Sequence, residues 1–335
     1  MSAASGPVEE AVESGDLDRL TRLIDRLCGA GRWDDLVELR DRCRAALERG
    51  RQLWPAAAHA EYRLALEAPG RWAGPVVAEG AGRFSLGPLS EVAAARHRWA
   101  DLAAHAGTGP AAGLAAHECV IRGEDLRTDR CATAAGAVLE VPLALQPWEP
   151  AYPVATYEPD RAGFPAPAPP ALAGVELPPP GSPVEDVDAL VALREVVAGW
   201  TADSSGRAEA VAVAGTGAAA VAALGPPAAR MGRLEPAAAL AWLAWAGASG
   251  GAHGRRRGMA TGRFAAWWAV VALAGRLAEW PMPPDEVGDA ASALRWFAWD
   301  AAEPVTGWSL HLAAEDPARG RAWALAATDA ALSSH

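Results

Sequence analysis

The sequence predicts a mainly α protein: two helical domains joined by a proline-rich extended strap, with minor β-structure at most. Three observations predict it. The chain has 335 residues, more than one ordinary core holds, so two domains are expected. Apolar residues recur at helical spacing along most of its length. Between positions 141 and 183 stand 13 prolines, which fix φ and remove backbone donors, so that stretch is neither regular helix nor central strand. The division that follows is 1–140, a helical domain containing a hairpin; 141–183, strap and linker; and 184–335, a tryptophan-rich helical domain.

The first helix is expected over 16–27. Leu17, Leu20, Ile24 and Leu27 form one stripe, with Asp18, Arg19, Arg22, Asp25 and Arg26 outside it. Ser14, Gly15 and Asp16 supply the start signal, Gly29 and Gly31 the stop. A second helix places Trp33, Leu36, Cys43 and Leu47 inward and closes at Gly50. The two align at an offset of 16: Gly15 with Gly31, Leu20 with Leu36, Asp25-Arg26 with Asp41-Arg42. That reads as a helical hairpin with solenoid-like grammar. Two amphipathic helices sharing a leucine-and-charge pattern by necessity explain it equally well. Further helices are expected over 56–66, 89–104 and 110–122. Residues 76–86, with Gly80 and Gly82 among small apolar residues, fit a short β-hairpin.

Trp148, Tyr152, Tyr157 and Phe164 are spaced through the proline-rich stretch. A free linker has no use for so many rings, so 141–164 reads as an extended strap on the surface and 165–183 as the linker. Beyond it, helices are expected over 184–200, 236–246, 262–278, 284–297 and 317–331. A strand over 208–214 runs into an alanine-rich helix that ends before Pro226. Trp242/Trp245 and Trp296/Trp299 stand at i, i+3 spacing, which puts each pair on one helical face and in the core.

Composition bounds function by exclusion. Half the chain, 51%, is hydrophobic, too much for a disordered protein. All 30 basic residues are arginine, and lysine and asparagine are absent, the usage of a GC-rich genome. Net charge is −11 and the arginines are interleaved with carboxylates, so no basic face for nucleic acid is expected. Cys28, Cys43, Cys119 and Cys131 have no CxxC spacing and read as reduced, buried thiols. No secretory signal is visible, and the uncharged run over 210–229 is mostly Ala and Gly with Pro226-Pro227, poor bilayer material, so a cytoplasmic protein is expected.

Gly215-Thr216-Gly217-Ala218-Ala219-Ala220 matches a dinucleotide fingerprint, with Glu235 where an acidic ribose partner would fall. Glu235 directly precedes Pro236 at a helix start, and no repeated βαβ units follow, so no cofactor is expected. The better candidate is Gly250 to Gly258, with His253, Arg255, Arg256 and Arg257, followed by Arg263, Trp267 and Trp268. Glycines free backbone N–H groups, arginine forks suit carboxylate or phosphate, and the segment leads into a helix N-terminus. Asp300, Glu315 and His253 are its candidate acid/base groups. The plainer alternative has these arginines paired with Asp300, Glu315 and Asp316, locking helices together. No metal is expected. A three-histidine site of His97, His105 and His117 is the weaker alternative, because no HxxxH pair aims two ligands at one ion.

Three stretches carry a resemblance: Pro69 to Pro75, Ala116 to Leu126 and Pro147 to Pro153, together with the block from Gly250 to Trp268. They resemble uncharacterised helical proteins of actinobacteria, a family that implies no activity. Two functional classes stay open on the residues alone. One is a non-catalytic binding or scaffolding protein that holds another protein on helical-hairpin surfaces. The other is an enzyme or sensor for a small anionic ligand at Gly250 to Arg263.

Overall fold

The computed structural model describes residues 6–136, 138–302 and 307–330, the side chains of Leu47 and Gly136 excepted. The chain divides into two units: Met1–Val138 with Ala155–Phe164, and Leu139–Val154 with Pro165–His335.

The first unit is helical. It comprises α1 (Pro7–Ser14), α2 (Leu17–Gly29), α3 (Trp33–Ala45), α4 (Trp54–Glu67), α5 (Gly70–Val76), α6 (Leu89–Ala94), α7 (Trp99–Leu102), α8 (Pro110–Ile121) and α9 (Arg130–Gly136). A two-strand hairpin of β1 (Thr156–Tyr157) and β2 (Ala162–Gly163) completes it. Asp16 caps α2 by accepting from the Asp18 and Arg19 amides at 2.9 and 3.1 Å, which satisfies two donors of its open first turn. Leu20, Ile24 and Leu27 of α2 and Leu36, Leu39 and Cys43 of α3 are buried, whereas Leu17 is 41% exposed. The inward placement expected for Leu47 lies outside the described residues. Both helices pack on α4, where buried Arg63 pairs with Asp25 of α2 and with Glu67. The helix expected over 89–104 is instead two short ones, because a new turn begins where the Asp101 carboxylate accepts from the Arg98 amide. Residues 76–86 close α5 and then form turns, not the expected strands.

The second unit corrects the fold class: the protein is mixed α/β. It contains β3 (Ala173–Val175), β4 (Ser182–Pro183), α10 (Val187–Val196), α11 (Ala198–Ala202), β5 (Arg207–Ala214), α12 (Gly217–Ala223) and β6 (Ala229–Leu234). These are followed by α13 (Pro236–Ala248), α14 (Met259–Leu273), α15 (Pro284–Ala293), β7 (Arg295–Asp300), β8 (Trp308–Asp316) and β9 (Arg321–Asp329). Seven strands form one antiparallel sheet in the order β3-β6-β7-β8-β9-β5-β4. The helix expected over 317–331 is a turn and β9, with Ala331 outside the described residues, and the one expected over 284–297 ends at Ala293 and becomes β7.

The sheet is covered on both faces, and that is why it does not read as strand. On one face Val213, Ala313, Ala322, Ala324 and Trp299 form a core with Ala220 and Val221 of α12. On the other, Trp296, Ala314 and Trp323 share a register row. There the Trp323 indole N–H donates to Asp186, the cap of α10, and that of Trp296 to the Ala291 carbonyl of α15. Trp296 and Trp299 therefore lie on opposite faces of a strand, not on one face of a helix, and both are buried. Behind this layer α13 packs on α14 at close range. A Cβ on Gly262 would run into the Ala244 carbonyl oxygen, so the crossing demands glycine there. The two edge strands, β3 and β4, come from the proline-rich stretch, where the missing N–H of Pro183 costs little.

Candidate functional site

The Gly250 segment is a tight loop between α13 and α14. The Arg257 amide donates to the Ala248 carbonyl at 2.7 Å, closing its base. Its inner anchor is Asp329, 1% exposed at the end of β9. Asp329 accepts from the Ala252 amide at 2.6 Å and from the Ser205 hydroxyl at 3.1 Å. Burial pushes this carboxyl up, but the hydrogen bonds of Ser204, Ala252 and Ser205 outweigh it and hold it below the ordinary carboxylate value. The His253 amide donates to Ser204 Oγ at 2.9 Å, and its side chain is exposed. The glycines thus serve a clamp on the sheet.

Arg263 and Trp267 are brought together by a group that sequence reasoning did not connect to them, Glu149. Arg263 is 0% exposed; its Nε and Nη2 each donate to a Glu149 oxygen at 2.7 Å. Nη1 and Nη2 also donate to the Pro142 and Ala144 carbonyls, at 2.7 and 3.1 Å. Glu149 also accepts from Tyr152 Oη at 2.7 Å, Trp267 Nε1 at 3.0 Å and the Gln146 amide at 2.9 Å. Burial works to raise the Glu149 carboxyl, yet the hydrogen bonds and charge of Arg263 win and lower it. Burial and then the neighbouring Glu149 charge push the Tyr152 phenol well up. Every partner is satisfied, and no ligand atom is needed to complete the set.

The carboxylates once matched to this loop belong to the sheet. Asp300 is forked by Arg230, and Glu315 pairs with Arg295 while accepting from the Gly217 amide. Asp316 pairs with Arg319. Arg257 and Trp268 both line a cleft of about 130 Å³ with Glu195, Thr261 and Phe264. Arg255 and Arg256 each interact with a neighbouring group. The fingerprint at Gly215 does follow a strand and open a helix. However, β7, β8 and β9 lie between β5 and β6, and each neighbouring pair across that span is antiparallel, so the fingerprint does not sit between adjacent parallel strands as a dinucleotide site requires. Among the described residues no group of three His, Cys, Asp or Glu side chains is placed to hold a metal. His97 lies after α6, His105 after α7 and His117, fully buried, within α8. Burial lowers the His97 imidazole.

The first unit holds a larger cleft, about 540 Å³, that sequence reasoning missed. Its floor is a stripe of α4. Trp54, Ala57, Ala58 and Glu61 follow i, i+3, i+4, i+7 spacing, so they share a face, and the two alanines leave depth between the ring and the acid. Glu61 is 2% exposed. Its Oε2 accepts from the Gly82 amide at 2.6 Å, while its Oε1 lies against the Arg44 guanidinium but takes no hydrogen bond. Gly82 can present that amide because it adopts φ +62° and carries no Cβ to meet the Leu89 side chain. Glu79, Arg83 and Phe84 close the other wall. Trp54 and Phe84 pack with centroids 4.0 Å apart, yet stay 38% and 53% exposed. The one signal available was Glu61 itself, a carboxylate one helical turn beyond Ala57 and Ala58 in an alanine-rich helix.

No helix in the described residues is long and apolar enough to cross a membrane. No curated protein and no solved structure matches the chain. A family model described as a family of unknown function (DUF6183) matches residues 18–331, which takes in nearly all of both units. The chain therefore belongs to that family of unknown function.

Proposed function

We propose that this is a binding protein and that its N-terminal helical unit holds a small ligand in the cleft floored by α4. One observation carries the reading: a nearly fully buried carboxylate, Glu61, lines a 540 Å³ cleft, and one of its oxygens is ion-paired with Arg44 but accepts no hydrogen bond. Buried polar oxygens are rarely left so, and an arriving donor would complete it. The volume falls within the range of about 300–1,000 Å³ common to small-molecule sites. The exposed Trp54–Phe84 pair adds apolar surface at the mouth. A second cleft, about 460 Å³ beside Arg276 and Arg319, supports binding less well, because no aromatic ring is among its lining residues.

A small-molecule screen read by ligand-observed NMR tests this, with Ala58→Leu filling the cleft floor as control. The reading expects ligands whose binding is lost in Ala58→Leu. A screen without ligands, or ligands indifferent to that variant, overturns it.

A second reading keeps a carboxylate- or phosphate-bearing ligand at the 250–263 segment. It rests on Arg257 and Trp268 sharing the 130 Å³ cleft. Arg263 is not part of it, since Glu149 occupies its fork.

A further inference from the structure

We infer that the α4 cleft takes a zwitterionic amino compound with a flat aromatic side chain, of the aromatic α-amino acid class. This rests on the cleft reading above and names its occupant.

Charge is the first argument. The cleft is lined by two carboxylates, Glu61 and Glu79, and two guanidiniums, Arg44 and Arg83. Its local balance is zero in a chain of net charge −11. A purely anionic ligand entering it meets the buried Glu61, and a purely cationic one meets both arginines. Like charges brought together in a partly desolvated cleft are costly. A ligand bearing both signs finds a partner for each.

Hydrogen bonding is the second. Glu61 Oε1 takes no hydrogen bond, although Arg44 lies against it. An ammonium has three donors in a compact head and supplies what that oxygen lacks; hydrogen bonds between charged groups are the stronger kind. Arg44 lines the cleft with its side chain 52% exposed, and a carboxylate suits its planar fork.

Surface shape is the third. Trp54 and Phe84 meet at 4.0 Å with a 41° tilt, and the Arg83 guanidinium lies 5.9 Å from the Phe84 centroid. Large rings this exposed are apolar surface at the entrance, and a ligand ring covers it best by offset or edge contact. The alanines at 57 and 58 leave the space between rings and acid that an amino-acid backbone fills.

The experiment is isothermal titration of the full chain with L-tryptophan, tryptamine, which lacks the carboxylate, and indole-3-propionate, which lacks the ammonium. Saturable L-tryptophan binding is expected, with each analogue weaker by about tenfold or more, the scale of one lost charged hydrogen bond. Glu61→Gln should weaken L-tryptophan by a similar factor and tighten indole-3-propionate, which no longer meets the buried charge. Phe84→Ala, on the exposed rim, should weaken all three and keeps the test open if Glu61→Gln fails to fold. Analogues that bind as tightly as L-tryptophan, but are lost in Ala58→Leu, overturn the zwitterion and leave the cleft reading standing. No binding of L-tryptophan overturns the zwitterion as well, while the screen with its Ala58→Leu control decides the cleft. Binding that survives both Ala58→Leu and Phe84→Ala overturns both.

Discussion

Arg263 and Glu149, 114 positions apart, form a two-pronged ion pair with no exposed side-chain surface. The pair ties residues 139–154 to α14 within the second unit, with Trp148 packed on Trp267 at 4.9 Å beside it. An arginine that reads as a ligand-binding residue is therefore a lock.

Removing one member leaves the other charged and buried. Arg263→Ala should destabilise the second unit by on the order of 3–5 kcal/mol. Arg263→Lys should recover only part, because an ammonium cannot reproduce the fork onto Glu149 and two carbonyls. Denaturant unfolding measures both, and losses under about 1 kcal/mol would make the pair dispensable.

The same pair sets an acid limit. Glu149 is held below its ordinary value of 4.5 in the folded chain, so the folded state binds fewer protons than the unfolded one near that pH. Its contribution is present above 4.5 and is lost as pH falls through the lowered folded value. The stability difference between wild type and Glu149→Gln should stay flat from neutral pH to about 5 and shrink below it. A difference that grows on acidification contradicts this sign.

Gly82→Ala tests the wall of the cleft. The substitution places a Cβ against the Leu89 side chain at φ +62°, so the 79–84 turn must shift and the Glu61 bond is lost. A cost of about 1–3 kcal/mol is expected, with faster hydrogen exchange at residues 79–86. Unchanged exchange there would mean that the turn does not depend on this contact.

Thiol reactivity should separate the cysteines. Cys28, Cys43 and Cys119 are buried as expected, whereas Cys131, expected to be buried with them, is exposed. Burial pushes the Cys28 and Cys43 thiols up to about 12 and Cys119 up as well, which starves them of thiolate. Iodoacetamide followed by mass spectrometry should label Cys131 alone in the native protein. Native labelling of Cys28 or Cys43 at a comparable rate would contradict the packing around α2 and α3.

What the sequence revealed and what it hid divide along physical lines. The helices α2 and α3 were legible from their leucine stripes, α4 and α8 because a proline opens each alanine-rich run, and β5 with α12 because a strand pattern runs into Gly-Thr-Gly. The central strands were not. Residues 312–315 of β8 and 322–325 of β9 are buried without alternation, so the period-two pattern of a half-exposed strand is absent, and alanine there reads as helix. Trp296 and Trp299 mimic a helical pair because a sheet covered on both faces buries odd and even positions alike. Arg263 was visible as a cation, but its partner is 114 residues away, beyond any local pattern. Glu61 was visible too, and only the turn at Gly82 makes it the floor of a cleft.

The central claim, that ligands enter the α4 cleft, is tested most directly by ¹⁹F NMR of 5-fluorotryptophan-labelled protein. Trp54→Phe and Trp268→Phe assign the two resonances that matter. On adding a screened ligand, the Trp54 resonance should move while those of Trp268 and the buried Trp267 stay in place. A ligand that moves Trp268 and leaves Trp54 unmoved would contradict the claim and place binding at the Arg257 cleft.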